Sequence, residues 1–169
     1  DGSFNRYDAS LSLADKTDGK YYILSIPLFA EDETDRAYWY ASRTYVRQLL
    51  NYNECHVALI GVGWVGENCS LVQDGFITEK VMGQLAKKGA VADVLGWILD
   101  CDGQPLNHPI NDTITSFRPE ILKARPVIGV AGGERKHAAI HAALRGGWLS
   151  GLITDQRTAE YLLQHNKEG

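Results

Sequence analysis

Positive charge is in short supply in this chain. Its 17 lysines and arginines face 21 aspartates and glutamates, for a formal net charge of −4. Surfaces that hold nucleic acid are basic as a rule, because they neutralise phosphates, so the balance argues against a nucleic-acid-binding surface here. Cysteine is scarce too. Cys55, Cys69 and Cys101 are odd in number and widely spaced; they fit neither a disulfide framework nor a zinc site and point to a reducing cytoplasm. No apolar run reaches membrane-spanning length, and no signal-peptide pattern is present. Repeats and low-complexity segments are lacking. No spacing of Ser, His and Asp, or of Cys and His, reads as a nucleophile with its base. The chain opens without Met, on the turn-like Asp1-Gly2-Ser3, and a fragment of a longer protein is expected.

What is present suits one globular domain over 169 residues, 44% hydrophobic and 22% charged, with a sizeable core. Asp8 to Ala14 reads as a short helix. Tyr21 to Ile26 reads as a buried strand ended by Pro27. A helix is expected from Thr34 to about Leu50, with Tyr38, Ala41, Tyr45 and Leu49 on one face, and Trp39, Val46 and Leu50 beside them. Asn51 to Glu54 is a polar break, and His56 to Ile60 a second strand. Glu79 to Lys87 is helical, and Val91 to Leu99 a strand or strand pair. Pro105 to Pro109 is loop, and Pro119 to Ala124 a short helix or turn. The Val127 strand, the His137 to Arg145 helix, a short strand from Leu149 to Thr154 and a helix from Arg157 to His165 complete the chain. Strands alternating with helices predict an α/β fold with a mostly parallel sheet, whose ligands sit at the carboxyl ends of strands. Two glycine turns, at Gly61 and Gly132, follow strands in that way.

The second turn is the more informative. Val127 to Val130 leads into Ala131-Gly132-Gly133-Glu134-Arg135-Lys136 and then the helix. Glycines admit positive φ and close approach of a ligand, and a helix start offers free N–H groups and partial positive charge. With Lys136 added, the turn suits a phosphate or other anion; the plain alternative is an ordinary strand–helix turn with a solvated lysine. At the first turn, Gly61-Val62-Gly63-Trp64-Val65-Gly66 fits the dinucleotide pattern G-x-G-x-x-G. Trp64 would crowd a pyrophosphate, and no acid ends a following strand at the right distance, so a smaller pocket is the better reading. Asp93 is an acid inside an apolar run. Burial forces it either to brace a loop through backbone N–H groups or to accept a ligand hydroxyl. Glu134 can be a simple helix-end acid. His137 and His141 have metal-pair spacing, but without an intervening Glu a zinc site is not expected.

The run Gly129 to Arg145, continuing Gly146-Gly147-Trp148-Leu149-Ser150-Gly151-Leu152-Ile153-Thr154-Asp155-Gln156-Arg157-Thr158-Ala159-Glu160-Tyr161-Leu162-Leu163, resembles the C-terminal signature of the SorC family of bacterial transcriptional regulators, also described as DeoR-like. Val57 to Gly63, and Lys88 to Gly96 with Asp100-Cys101-Asp102-Gly103, resemble earlier blocks of that family in order. The resemblance implies a Rossmann-like, three-layer α/β fold, similar to ribose-5-phosphate isomerase and glucosamine-6-phosphate deaminase. It implies that residues 1–169 are an effector-binding domain. The helix-turn-helix that reaches DNA, and early strands with a phosphate-binding glycine turn, would lie outside the chain. The implied ligand is a sugar phosphate, polyol phosphate or related metabolite, held by Gly61, Gly63, Asp93, Gly132, Gly133, Glu134 and Lys136, in a homo-oligomer (dimer or tetramer) with no cofactor, metal or catalytic residue. A rival on the same fold is a sugar-phosphate isomerase or deaminase-like enzyme using Asp93, Glu134 and Lys136.

Overall fold

The computed structural model describes residues 9–165. Helix α1 (Ala9–Thr17) is followed by α2 (Glu33–Ala41), α3 (Arg43–Asn53), strands β1 (Ala58–Ile60) and β2 (Gly63–Trp64), α4 (Ser70–Gln73) and α5 (Glu79–Lys87). Then come β3 (Ala92–Val94), β4 (Trp97–Leu99), a 3-10 turn (Pro109–Asp112), α6 (Pro119–Leu122) and β5 (Val127–Val130). A second 3-10 turn (Glu134–Lys136) runs into α7 (His137–Arg145), and β6 (Gly151–Ile153) and α8 (Gln156–His165) finish the chain. No helix among the described residues is long and apolar enough to cross a membrane.

The expected α/β organisation is there, in two three-stranded sheets. One is parallel, ordered β1-β5-β6, with Ile60 beside Gly129 and Gly129 beside Leu152. The other is antiparallel, ordered β2-β3-β4. The segment Val91 to Leu99 resolves into the hairpin β3–β4. Its two-residue turn, Leu95-Gly96, has φ of 52° and 88°, the primed-turn geometry that matches strand twist. Helix α7 is the spine between the sheets. Its Ala139, Ile140, Ala142 and Ala143 are buried with Ile60, Val127, Ala92, Val94 and Trp148 in one core. Small residues on that face let the helix lie close to the strands. A second core gathers Leu71, Met82, Leu85 and Ile98 under α4 and α5. Asn111, buried, stitches the 3-10 turn to β4: it accepts the Ile98 N–H and donates to the Ile98 and Leu106 carbonyls.

The parallel sheet buries one face only. On the other, Leu59, Val130 and Ile153 are 57%, 49% and 57% exposed, an apolar surface with nothing over it among the described residues.

Three expectations need correction. Tyr21 to Ile26 forms no strand; Tyr22 and Ile23 are more than half exposed, and the nearest sheet-like contact is a single bridge from Phe29 to Ile114. A strand needs a partner ladder as well as β-prone residues, and here none is offered. The long helix from Thr34 is two helices, broken at Ser42, whose extended backbone (φ −65°, ψ 147°) starts α3 and whose hydroxyl accepts the Tyr45 N–H. The break turns the face predicted to be buried: Tyr45 is buried, while Tyr38, Val46 and Leu50 are exposed. Helix α3 also continues through Asn51 to Asn53, where a polar break was expected.

Candidate functional site

The strand order places three chain segments side by side at the carboxyl ends of the parallel strands. The Gly61–Gly63 turn leaves β1, Gly132–Gly133 leaves β5, and Thr154–Asp155 leaves β6. Beyond the first, β2 pairs with β3 so that Gly63 lies opposite Asp93.

Glycine at 63 is explained by that pairing. A Cβ there would lie 2.7 Å from Asp93 Oδ2. The Asp93 carboxyl is largely enclosed, and burial lifts its pKa from 3.8 to about 6, against a lowering by the Gly96 N–H that it accepts at 2.7 Å and by the charge of Lys136. The two readings of Asp93 are thus both partly visible. Oδ1 braces the β3–β4 turn, while Oδ2 accepts no hydrogen bond among the described residues. A carboxylate accommodates several donors, so Asp93 retains room for a ligand hydroxyl. Lys136 closes over this region, with Nζ 5.7 Å from the centre of the Trp64 ring. Gly61 faces open space, with nothing within 4 Å of where its Cβ would be. The pattern G-x-G-x-x-G therefore opens an antiparallel strand at Gly63–Trp64 rather than the helix a dinucleotide site requires.

The second turn is built differently. Only Gly133 has positive φ, at 98°. Gly132 is there for space, since a Cβ on it would collide with Asp155 Oδ2. That oxygen accepts the Gly133 N–H at 2.7 Å and the Thr158 hydroxyl at 2.8 Å, while Oδ1 accepts the Thr158 N–H at 2.9 Å. Thr158, fully buried, also accepts from Gly133 N–H at 3.0 Å. Hydrogen bonds from Thr158 and Gly133 hold the Asp155 carboxyl down at a pKa of about 2. The close approach that the glycine pair permits is thus made by an acid of the same chain. Glu134 starts the 3-10 turn with its side chain exposed, and Lys136 donates its N–H to the Gly133 carbonyl at 2.9 Å.

Sequence reasoning missed Trp64 as the platform for Lys136, and Asp155 and Thr158 as the anchor of the turn. A signal for the last existed: Asp155 and Thr158 have the three-residue spacing of a helix N-cap just after a strand. The three cysteines are free thiols, and no group of acidic, His or Cys side chains among the described residues has the makings of a metal site. A separate open groove of about 780 Å³ lies between residues 23–29, Trp39 and Phe76. No charged side chain lines it, so it does not compete as the site of polar chemistry.

A family model described as "Putative sugar-binding domain" matches residues 1–164. The erythritol catabolism regulatory protein EryD of Brucella abortus is 30% identical over 159 residues, which are 94% of this chain and 50% of that protein. The transcriptional regulator LsrR of Escherichia coli K12 is 37% identical over 120 residues, 69% of this chain and 38% of its own length. The full-length sorbitol operon regulator SorC from Klebsiella pneumoniae shares the fold, with a TM-score of 0.81 at 19% identity over 96% of this chain and 55% of that one. The chain spans about half the length, or less, of the curated relatives it matches.

Proposed function

The chain belongs to the sugar-binding domain family of SorC-type transcriptional regulators, and on that footing we propose that it senses a small hydroxyl-rich metabolite and passes the signal to DNA-binding elements elsewhere in the protein. The effector is a sugar, a polyol or a phosphate of either. One observation carries the site: Asp93, with an unused carboxylate oxygen, feels the charge of Lys136, which is laid over Trp64. Asp93 accepts an effector hydroxyl, and Lys136 supplies the cation for a phosphate or another electron-rich oxygen. Gly61 leaves room for the ligand, Gly63 leaves room for the Asp93 carboxyl, and Glu134 adds an exposed acid at the start of the 3-10 turn.

The acidic balance assigns DNA contact to a separate segment. The uncovered face of the parallel sheet supports a further layer contributed by the rest of the protein, and the regulator works as a homo-oligomer whose packing shifts with effector. The domain binds without turnover. The competing reading is an isomerase-like enzyme, favoured by the raised Asp93 pKa, since general acids and bases work best near the ambient pH.

The test is a calorimetric titration of the full-length protein with a panel of sugars, polyols and their phosphates, paired with operator binding and product analysis by NMR. Lys136→Ala is expected to weaken a phosphorylated effector by about 1.5–3 kcal/mol, the worth of a charge-assisted hydrogen bond. Sustained conversion of a panel compound without DNA binding would overturn the regulator reading in favour of the enzyme.

A further inference from the structure

The β5 turn looks like an anion cradle in sequence, yet its geometry is already satisfied from within. Gly133 N–H is the donor that a phosphate would meet first at such a turn, and it points at Asp155 Oδ2, with Thr158 Oγ1 behind it. Asp155 cannot easily be moved aside. Its two oxygens take three donors, its pKa of about 2 keeps it ionised throughout the neutral range, and Gly132 is shaped around it. A phosphate brought to this turn would lose the N–H and meet a fixed negative charge at short range.

Hydroxyl groups have no such quarrel with the site. They carry no charge, and a hydroxyl can donate to a carboxylate. We propose that Asp155 is a specificity-determining, positioning residue: it locks the Gly132–Gly133 turn and makes that side of the site accept the neutral, hydroxyl-bearing part of the effector. A phosphate, where the effector has one, lies away from this turn, on the Lys136 Nζ side that faces Trp64. The inference rests on the effector-site reading above and adds which end of the ligand meets which strand.

The experiment uses Asp155→Asn and Asp155→Ser, with Thr158→Val as a third variant that weakens the lock and keeps the charge. Affinities for a neutral polyol and for its phosphate are measured on each full-length protein, and the ratio is compared with wild type. Loss of the charge is expected to move that ratio at least threefold toward the phosphate in both Asp155 variants, and Thr158→Val is expected to leave it unchanged. A purely structural role would weaken both ligands together and leave the ratio constant, which would overturn the proposal. In a second arm, inorganic phosphate is titrated into 15N-labelled wild-type protein. The Gly133 amide resonance is expected to stay in place, and a saturable shift there would equally sink the idea. That arm needs no effector. If no sugar or polyol in the panel binds the wild type, the effector reading fails, while the phosphate titration still reports on the lock.

Discussion

Two glycine turns, on neighbouring parallel strands, are each pressed by an aspartate, and the two aspartates behave in opposite ways. Asp93 leans on Gly63, is enclosed, accepts one hydrogen bond and has its pKa raised to about 6. Asp155 leans on Gly132, sits at the surface, accepts three hydrogen bonds and has its pKa lowered to about 2. Desolvation dominates the first and hydrogen bonding the second. The lesson is that hydrogen-bond supply separates an acid held by its own turn from one with a free oxygen. Asp155 is spent on its own turn; Asp93 has capacity to spare.

Breaking the comparison at its stiffest point should have the largest effect. Gly132→Ala forces a methyl group into the Asp155 carboxylate, so the turn or the lock must give way. A loss of about 3 kcal/mol of unfolding free energy is expected, in the upper range for overpacking, and urea denaturation measures it. A stability within error of wild type would mean that Asp155 does not hold this turn in solution.

The acids should also pull the pH profile of stability in opposite directions. Between pH 3.8 and about 6, folded Asp93 keeps a proton that the unfolded chain has lost. Its contribution to stability therefore falls as pH rises across that window, by up to about 3 kcal/mol for a shift of this size. Asp155 is deprotonated more readily in the fold, so its contribution is lost as pH falls from 3.8 through about 2. Thermal unfolding of Asp93→Asn from pH 2 to 7 is expected to lose the first slope and keep the second. An unchanged slope would remove Asp93 as its source.

Asp93→Asn also sharpens the contrast in binding. The variant is expected to bind the effector about 1.5–3 kcal/mol more weakly, as for a lost hydrogen bond to a charged group, while its stability at pH 7 holds or improves, because an enclosed charge has gone. A large loss of unliganded stability, with affinity kept in the folded fraction, would make Asp93 a brace of the β3–β4 turn rather than a ligand contact. The smallest stability effect belongs to Gly61→Ala. Its Cβ meets nothing within 4 Å, so stability should change by less than about 1 kcal/mol, toward the more stable. Effector affinity should nonetheless drop, since the methyl group enters the space assigned to the ligand; calorimetry separates the two.

Much of this was legible in the order of residues. Helices α5 and α7 run between the residues expected, Glu79 to Lys87 and His137 to Arg145, because spacing, capping and flanking glycines act over one or two turns of chain. The β5 strand, the glycine turns and the membership in a sugar-binding family were likewise carried by short contiguous signals. Tertiary structure alone decided that Tyr21 to Ile26 finds no partner, that Ser42 splits a helix whose apolar pattern runs through it, and which acid meets which glycine. Asp93 reaches Gly63 through the β2–β3 pairing, and Asp155 reaches Gly132 because β6 lies beside β5. Those contacts join residues 20 to 30 positions apart in the numbering, beyond the reach of local periodicity. Their consequence for pKa depends on enclosure and on the count of N–H and O–H donors, quantities that exist only once the sheets are packed.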